Sequence, residues 1–185
     1  MSKIFIIHGS YGSPDENWYF WLRDELEKLG HKVFIPKFPT PMDQHLENWY
    51  RVLGPYQRHF TEDTIVVGHS LGVAFLLTVI ERLHIRIKAA FFISGFIELL
   101  GNPDFDIINE SFFDKEFDWD LIKLNCEKFT VIHSDNDPYV SISNAINLAD
   151  KLSTEPIIIM DAGHFNEKSG YTTFDLLLEH IKREL

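Results

Sequence analysis

The amino-acid sequence predicts an α/β fold: a parallel sheet of about six strands with helices on both faces. Three observations predict it. Short β-branched or aromatic runs alternate with longer helical stretches along the whole chain. Four of these runs, KIFII, TIVV, KAAFFI and PIIIM, lack period-two alternation, as strands buried on both faces do. The chain has 185 residues, 45% hydrophobic and 14% aromatic, which is enough apolar surface for one domain over residues 1–185 and too much for a disordered chain.

The first strand is Lys3 to Ile7, closed by the turn-rich segment His8 to Pro14. A helix follows over about residues 17–29, with Gly30 as its stop. The second strand is His31 to Ile35, ended by Pro36, and Pro39 and Pro41 mark an irregular connection. A helix over about 43–59 carries a break at Gly54-Pro55. The third strand is Thr64 to Val67, followed by an apolar helix from Leu71 to Leu83. The fourth is Lys88 to Ile93. Ser94 to Cys126 then shows weak periodicity and many aromatics, and is too short for a full lid domain. The fifth strand, Phe129 to His133, precedes a helix over about 141–152; the sixth, Pro156 to Met160, precedes a last helix over about 173–183.

Composition excludes several function classes. Seventeen Lys and Arg against 28 Asp and Glu give a net charge of −11, which disfavours nucleic acid and anionic membranes as partners. One cysteine, Cys126, excludes a disulfide scaffold. No apolar run reaches the length of a signal peptide core or a membrane span, so a cytoplasmic protein is expected. No P-loop or dinucleotide fingerprint occurs, and no histidine pair has metal spacing, so neither cofactor nor catalytic metal is expected.

In open parallel sheets, ligands sit beyond the carboxyl ends of the strands. After the third strand comes Gly68-His69-Ser70-Leu71-Gly72, a G-x-S-x-G between a buried strand and an apolar helix, the context of a nucleophile elbow. The tight turn lifts the Ser70 hydroxyl above the sheet, at the amino end of the next helix. The plain alternative is a strand-to-helix turn with Ser70 as an ordinary N-cap. An alkoxide needs a base, and His164, in the flexible Asp161-Ala162-Gly163-His164-Phe165 segment after the sixth strand, is the best placed of nine histidines. His69 sits in the elbow and should point away from Ser70; His8 should pack under the first loop. The histidine needs a carboxylate. Asp137, held extended by Pro138, is favoured over Asp135, which is expected to cap the turn after the fifth strand. For the oxyanion, the residues suggest the backbone amides of Leu71 and Ser10, with Tyr11 as the alternative to Ser10. The order Ser70, Asp137, His164 is that of the α/β hydrolases.

The segment HGSYGSPDENWYFWLRDELEKLGHKVFIPKFP, followed by VVGHSLG, SDNDPYV and DAGHF, resembles small serine hydrolases related to retinoblastoma-binding protein nine and bacterial YdeN. The resemblance covers essentially the whole chain. It implies a compact α/β-hydrolase fold lacking the first two strands of larger members, with Ser70 as nucleophile, Asp137 as acid and His164 as base. Retinoblastoma binding does not carry over: the nearest match to L-x-C-x-E is Leu124 to Lys128, with the glutamate one place early.

The expected activity is hydrolysis of small carboxylic esters, or amides or thioesters, through an acyl-enzyme; a non-catalytic protein-binding module on the same fold is the alternative. The substrate pocket is expected to include Tyr11, Phe96 and Phe165. Acidic residues of the 94–126 segment, from Asp104 to Asp120, are expected to bias its mouth toward neutral or cationic substrates.

Overall fold

A computed structural model describes all 185 residues, Met1–Leu185. In chain order the elements are β1 (Lys3–Ile7), α1 (Tyr19–Lys28), β2 (Lys32–Phe34), α2 (Leu46–Leu53), β3 (Thr64–His69), α3 (Leu71–Glu81), β4 (Ile87–Ile93), α4 (Pro103–Asn109), α5 (Trp119–Leu124), β5 (Cys126–Ser134), α6 (Ile142–Lys151), β6 (Pro156–Ile159) and α7 (Asp175–Lys182). The six strands form one sheet in the order β2-β1-β3-β4-β5-β6, every neighbouring pair parallel.

Alternate residues of each central strand face opposite cores. Phe5, Ile7, Val66, Ala90 and Phe92 join residues of α2, α3, α5 and α6 on one face. Ile4, Ile6, Ile65, Val67 and Phe91 join α1 and α7 on the other. Both faces are apolar because both are covered, which is why β1, β3 and β4 read as continuous hydrophobic runs. The same reading fails for PIIIM. The sixth strand is a sheet edge and its four residues are only half-buried. Its run of isoleucines reflects one covered face and a partly open side.

Three further expectations change. The helix expected over 43–59 begins only at Leu46, and at the expected Gly54-Pro55 break it passes into a 3-10 turn over Gly54–His59, Pro55 having no N–H to continue the α-helical ladder. The fifth strand starts at Cys126 rather than Phe129, since pairing with Ile87 of β4 extends it. The 94–126 segment contains α4, a 3-10 turn over Glu110–Phe112, and α5. These helices are too short to show a stable period, and each relies on a polar cap: Asn102 accepts from the Asp104 N–H and Asp118 from the Leu121 N–H.

The strand order reverses between β1 and β3, where the chain first runs outward to β2 and then returns. Loops leaving neighbouring strands diverge there and open a crevice. The β1 loop and the β3–α3 turn meet at that point. A Cβ on Gly72 would lie 2.4 Å from the Ile7 carbonyl oxygen, and one on Gly9 would lie 2.7 Å from Ser70 Cβ. Both positions need glycine: backbone fills the space beside Gly72, and the Ser70 side chain fills the space beside Gly9.

Candidate active site

Ser70 stands between β3 and α3 with φ 56° and ψ −125°. This conformation costs an L-residue on the order of 1–3 kcal/mol and persists only where the surroundings impose it. Here the Ser70 N–H is tied to the Ile93 carbonyl of β4 at 2.9 Å, and α3 begins one residue later. The hydroxyl makes no capping hydrogen bond to the helix, so Ser70 is not an ordinary N-cap.

Asp137 and His164 meet. His164 Nδ1–H donates to Asp137 Oδ2 at 2.7 Å, and the Asp137 side chain is fully buried. Asp137 Oδ1 accepts from the Tyr139 and Val140 N–H groups at 2.9 and 3.1 Å. Burial alone would raise this carboxyl. The hydrogen bond and charge of His164, with the two backbone donors, outweigh it and hold the group below its ordinary value. With Nδ1 occupied as a donor, His164 keeps Nε2 as its acceptor nitrogen.

Asp135 does not reach His164. It accepts from the Asp161 N–H at 2.8 Å, while Ser134 Oγ accepts from Ala162 N–H at 3.0 Å and Asn136 Oδ1 from Gly163 N–H at 2.7 Å. Three consecutive side chains at the end of β5, Ser134 to Asn136, thus grip three consecutive amides leading to His164. Sequence reasoning missed this clasp, although the run Ser134-Asp135-Asn136-Asp137 carries its signal: four short acceptors in a row at a strand end.

The loop carrying His164 is pinned from below as well. His69 Nε2–H donates to the His164 carbonyl at 2.8 Å, Tyr19 O–H donates to His69 Nδ1 at 2.6 Å, and Trp18 Nε1–H donates to the Phe165 carbonyl at 2.9 Å. His69 is therefore turned onto Tyr19 and the His164 backbone. His8 is fully buried and accepts the Phe38 N–H. Burial, with His164 nearby, lowers His69 to about 3, and burial also lowers His8 and His133. Each is harder to protonate in the fold than in the unfolded chain, where histidine protonates near 6.5. The unfolded state then binds more protons below that value, so stability is complete above it and is lost as pH falls. The melting temperature is expected to drop between pH 7 and pH 4. His69→Gln, which can keep both hydrogen bonds, is expected to show a shallower drop; an unchanged slope would remove His69 from this account.

Ser70 and His164 line one cavity of about 500 Å³, together with Tyr11, Phe96, Leu100, Phe105, Tyr139 and Val140. The rings of Tyr11 and Phe105 lie 5.6 Å apart, Phe105 and Tyr139 6.1 Å, and Tyr139 stands edge-on to His164 at 5.1 Å. Of the three expected pocket residues, Tyr11 and Phe96 are present. Phe165 is not: it is fully buried and stacked on Phe174 in the core under α1 and α7. Its neighbour His164 turns toward the cavity, and the left-handed backbone at Phe165, φ 48°, sends its ring the other way. The acidic 94–126 segment brings no carboxylate to the lining. The charged residues there are Glu16, Glu167 and Lys168, while Asp106 accepts from the Leu100 N–H instead.

Two backbone amides near Ser70 are unspent. Leu71 is the first residue of α3, so its N–H has no acceptor one turn back. Ser10 N–H has no protein acceptor, whereas Tyr11 N–H donates to Thr40 Oγ1 at 2.6 Å. No cluster of His, Cys, Asp or Glu side chains is arranged to hold a metal ion.

A serine on a strained strand-to-helix turn, a carboxylate-bound histidine on the same cavity and this strand order define an α/β hydrolase. The chain belongs to the serine hydrolase family, whose model matches residues 4–183. It is 30% identical over 188 residues to YdeN of Bacillus subtilis (strain 168), covering 98% of this chain and 97% of that protein. It is 27% identical over 190 residues to the serine hydrolase RBBP9 of Rattus norvegicus, covering 100% and 96%. The crystal structure of the B. subtilis ydeN gene product matches with a TM-score of 0.92 at 28% identity, over 100% of this chain and 98% of that one. Est1E of Butyrivibrio proteoclasticus, solved with ferulic acid, shares the fold at a TM-score of 0.76 and 17% identity, over 99% and 87% of the two chains.

Proposed function

We propose that this hydrolase cleaves small carboxylic esters through a covalent acyl-enzyme, with Ser70 as nucleophile, His164 as general base and acid, and Asp137 as the group that orients His164. The Asp137–His164 bond carries the reading: it fixes the tautomer that leaves Nε2 free to take the serine proton. Ser70 Oγ attacks the carbonyl carbon as its proton passes to His164. The tetrahedral oxyanion accepts hydrogen bonds from the Ser10 and Leu71 amides. Collapse expels the alcohol, which takes the proton from His164, and water repeats the sequence to release the acid. Amides and thioesters would follow the same steps.

The aromatic wall of Phe96, Phe105 and Tyr139 suits an uncharged apolar acyl group, and a cavity of about 500 Å³ limits the substrate to a small molecule. No helix is long and apolar enough to cross a membrane. We place the protein in the cytoplasm, a reading its single free cysteine, the buried Cys126, accommodates.

A fluorophosphonate probe with mass-spectrometric mapping tests the assignment. One adduct on Ser70 is expected, together with turnover of short p-nitrophenyl esters. A folded protein that takes up no probe and turns over no ester would sink the reading and favour a binding module.

A further inference from the structure

We infer that Gln44 is a positioning residue for the oxyanion-binding loop, holding the Ser10 amide in place from the side opposite Ser70. This rests on the reading that Ser10 N–H receives the oxyanion.

Gln44 lies in the connection between β2 and α2, yet its side chain is buried. The direction of every hydrogen bond around it is dictated by backbone groups at the two ends of a chain of contacts. At one end Tyr11 N–H, which can only donate, gives its proton to Thr40 Oγ1. Thr40 must then pass its own hydroxyl proton onward, and its partner is Gln44 Oε1. That fixes the amide so that Gln44 Nε2 faces the Ile108 carbonyl, which can only accept, at 3.1 Å. The same nitrogen lies 2.7 Å from Asn109 Oδ1 and 3.0 Å from Ser10 Oγ. Ser10 Oγ–H in turn donates to Asn109 Oδ1 at 2.8 Å.

Asn109 is locked by this arrangement, since turning its amide over would set donor against donor. The lock leaves Asn109 Nδ2 buried with no partner. A buried donor left without an acceptor is costly. Asn109 and Ser10 both line the cavity that holds Ser70, so this polar network adjoins the site.

The network acts on the β1 loop. It binds Ser10 by its side chain and Tyr11 by its N–H, and so leaves the Ser10 N–H as the free donor of the pair. Gly9, just before, has no side chain and lies against Ser70. The Gly9 carbonyl is held by His8 Nδ1–H at 2.9 Å and by the Gly12 N–H at 3.2 Å, but neither bond reaches Ser10, whose hold comes from Gln44 and Asn109. Both outer supports, Gln44 and Asn109, meet at Ser10. All members are uncharged, so the brace is independent of pH.

Gln44→Met keeps length and removes both polar ends. Kinetics on p-nitrophenyl butyrate should be compared with inhibition by a trifluoromethyl ketone, which forms a tetrahedral adduct, and by the matched methyl ketone, which does not. We expect kcat/KM to fall about 10- to 100-fold with KM within about threefold, and trifluoromethyl ketone affinity to fall in parallel. Methyl ketone affinity should not change. Ser10→Ala, which deletes only a hydroxyl and keeps the amide, should move the same quantities in the same direction. The double variant should lose less than the product of the two single losses, because both act through one contact.

If both variants fold and leave kcat and trifluoromethyl ketone affinity at wild-type values, the inference is overturned. Should Gln44→Met fail to fold, Ser10→Ala alone decides in the same way. A wild-type enzyme that is neither labelled at Ser70 nor bound by the trifluoromethyl ketone would instead overturn the proposed mechanism itself.

Discussion

Ser70→Ala is expected to lower kcat on p-nitrophenyl esters by about 10⁴- to 10⁶-fold and to abolish fluorophosphonate labelling. The size follows from the role. If Ser70 is the nucleophile as proposed, its loss leaves only binding and the proposed oxyanion donors to act on the ester. The melting temperature should hold, because Ser70 Oγ makes no capping bond and the turn is fixed by the backbone bond to Ile93. Rates within about tenfold of wild type, with folding intact, would remove Ser70 from the mechanism.

Asp137→Asn is expected to reduce kcat by about 10⁴-fold without unfolding the protein. The two backbone donors of Tyr139 and Val140 hold the Oδ1 position, so the new amide nitrogen must face His164. His164 then accepts at Nδ1 and carries its proton on Nε2, where it blocks proton transfer from Ser70. Asp135→Asn is the matched control. Its acceptor oxygen can still take the Asp161 N–H, so activity should stay within a few-fold of wild type. Equal losses in the two variants would show that the loop as a whole, rather than the tautomer of His164, sets the rate.

The choice between these aspartates shows how far the residues can be read directly. Pro138 points to Asp137, because the restriction it places on its neighbour is local. The Asp135 contact is different. Its partner lies 26 residues away, on the loop after β6. The expectation that Asp135 caps its own turn fails because the turn's partner is another strand's exit. The same limit explains Phe165. It follows His164 in the chain, but the left-handed backbone between them separates one side chain to the cavity and the other to the core. It explains the acidic segment too. Charge density along the chain does not say which carboxylates face a cavity: Asp106 accepts from the Leu100 N–H, Asp118 caps α5 and Asp120 pairs with Lys123.

By itself the sequence determined the buried strands, the alternation with helices, the glycine-flanked serine between β3 and α3, and the chain order of serine, aspartate and histidine. All but the last depend on near neighbours in the chain, where periodicity and turn chemistry act; the order is read from the chain directly. Only the tertiary structure decided which polar side chains are buried against one another. Gln44 meets Ser10 across 34 residues and Ser10 meets Asn109 across 99. A buried amide and an exposed one look alike in a sequence, because burial is set by the elements the crossovers bring together. In this fold the strand reversal between β1 and β3 brings them to one crevice.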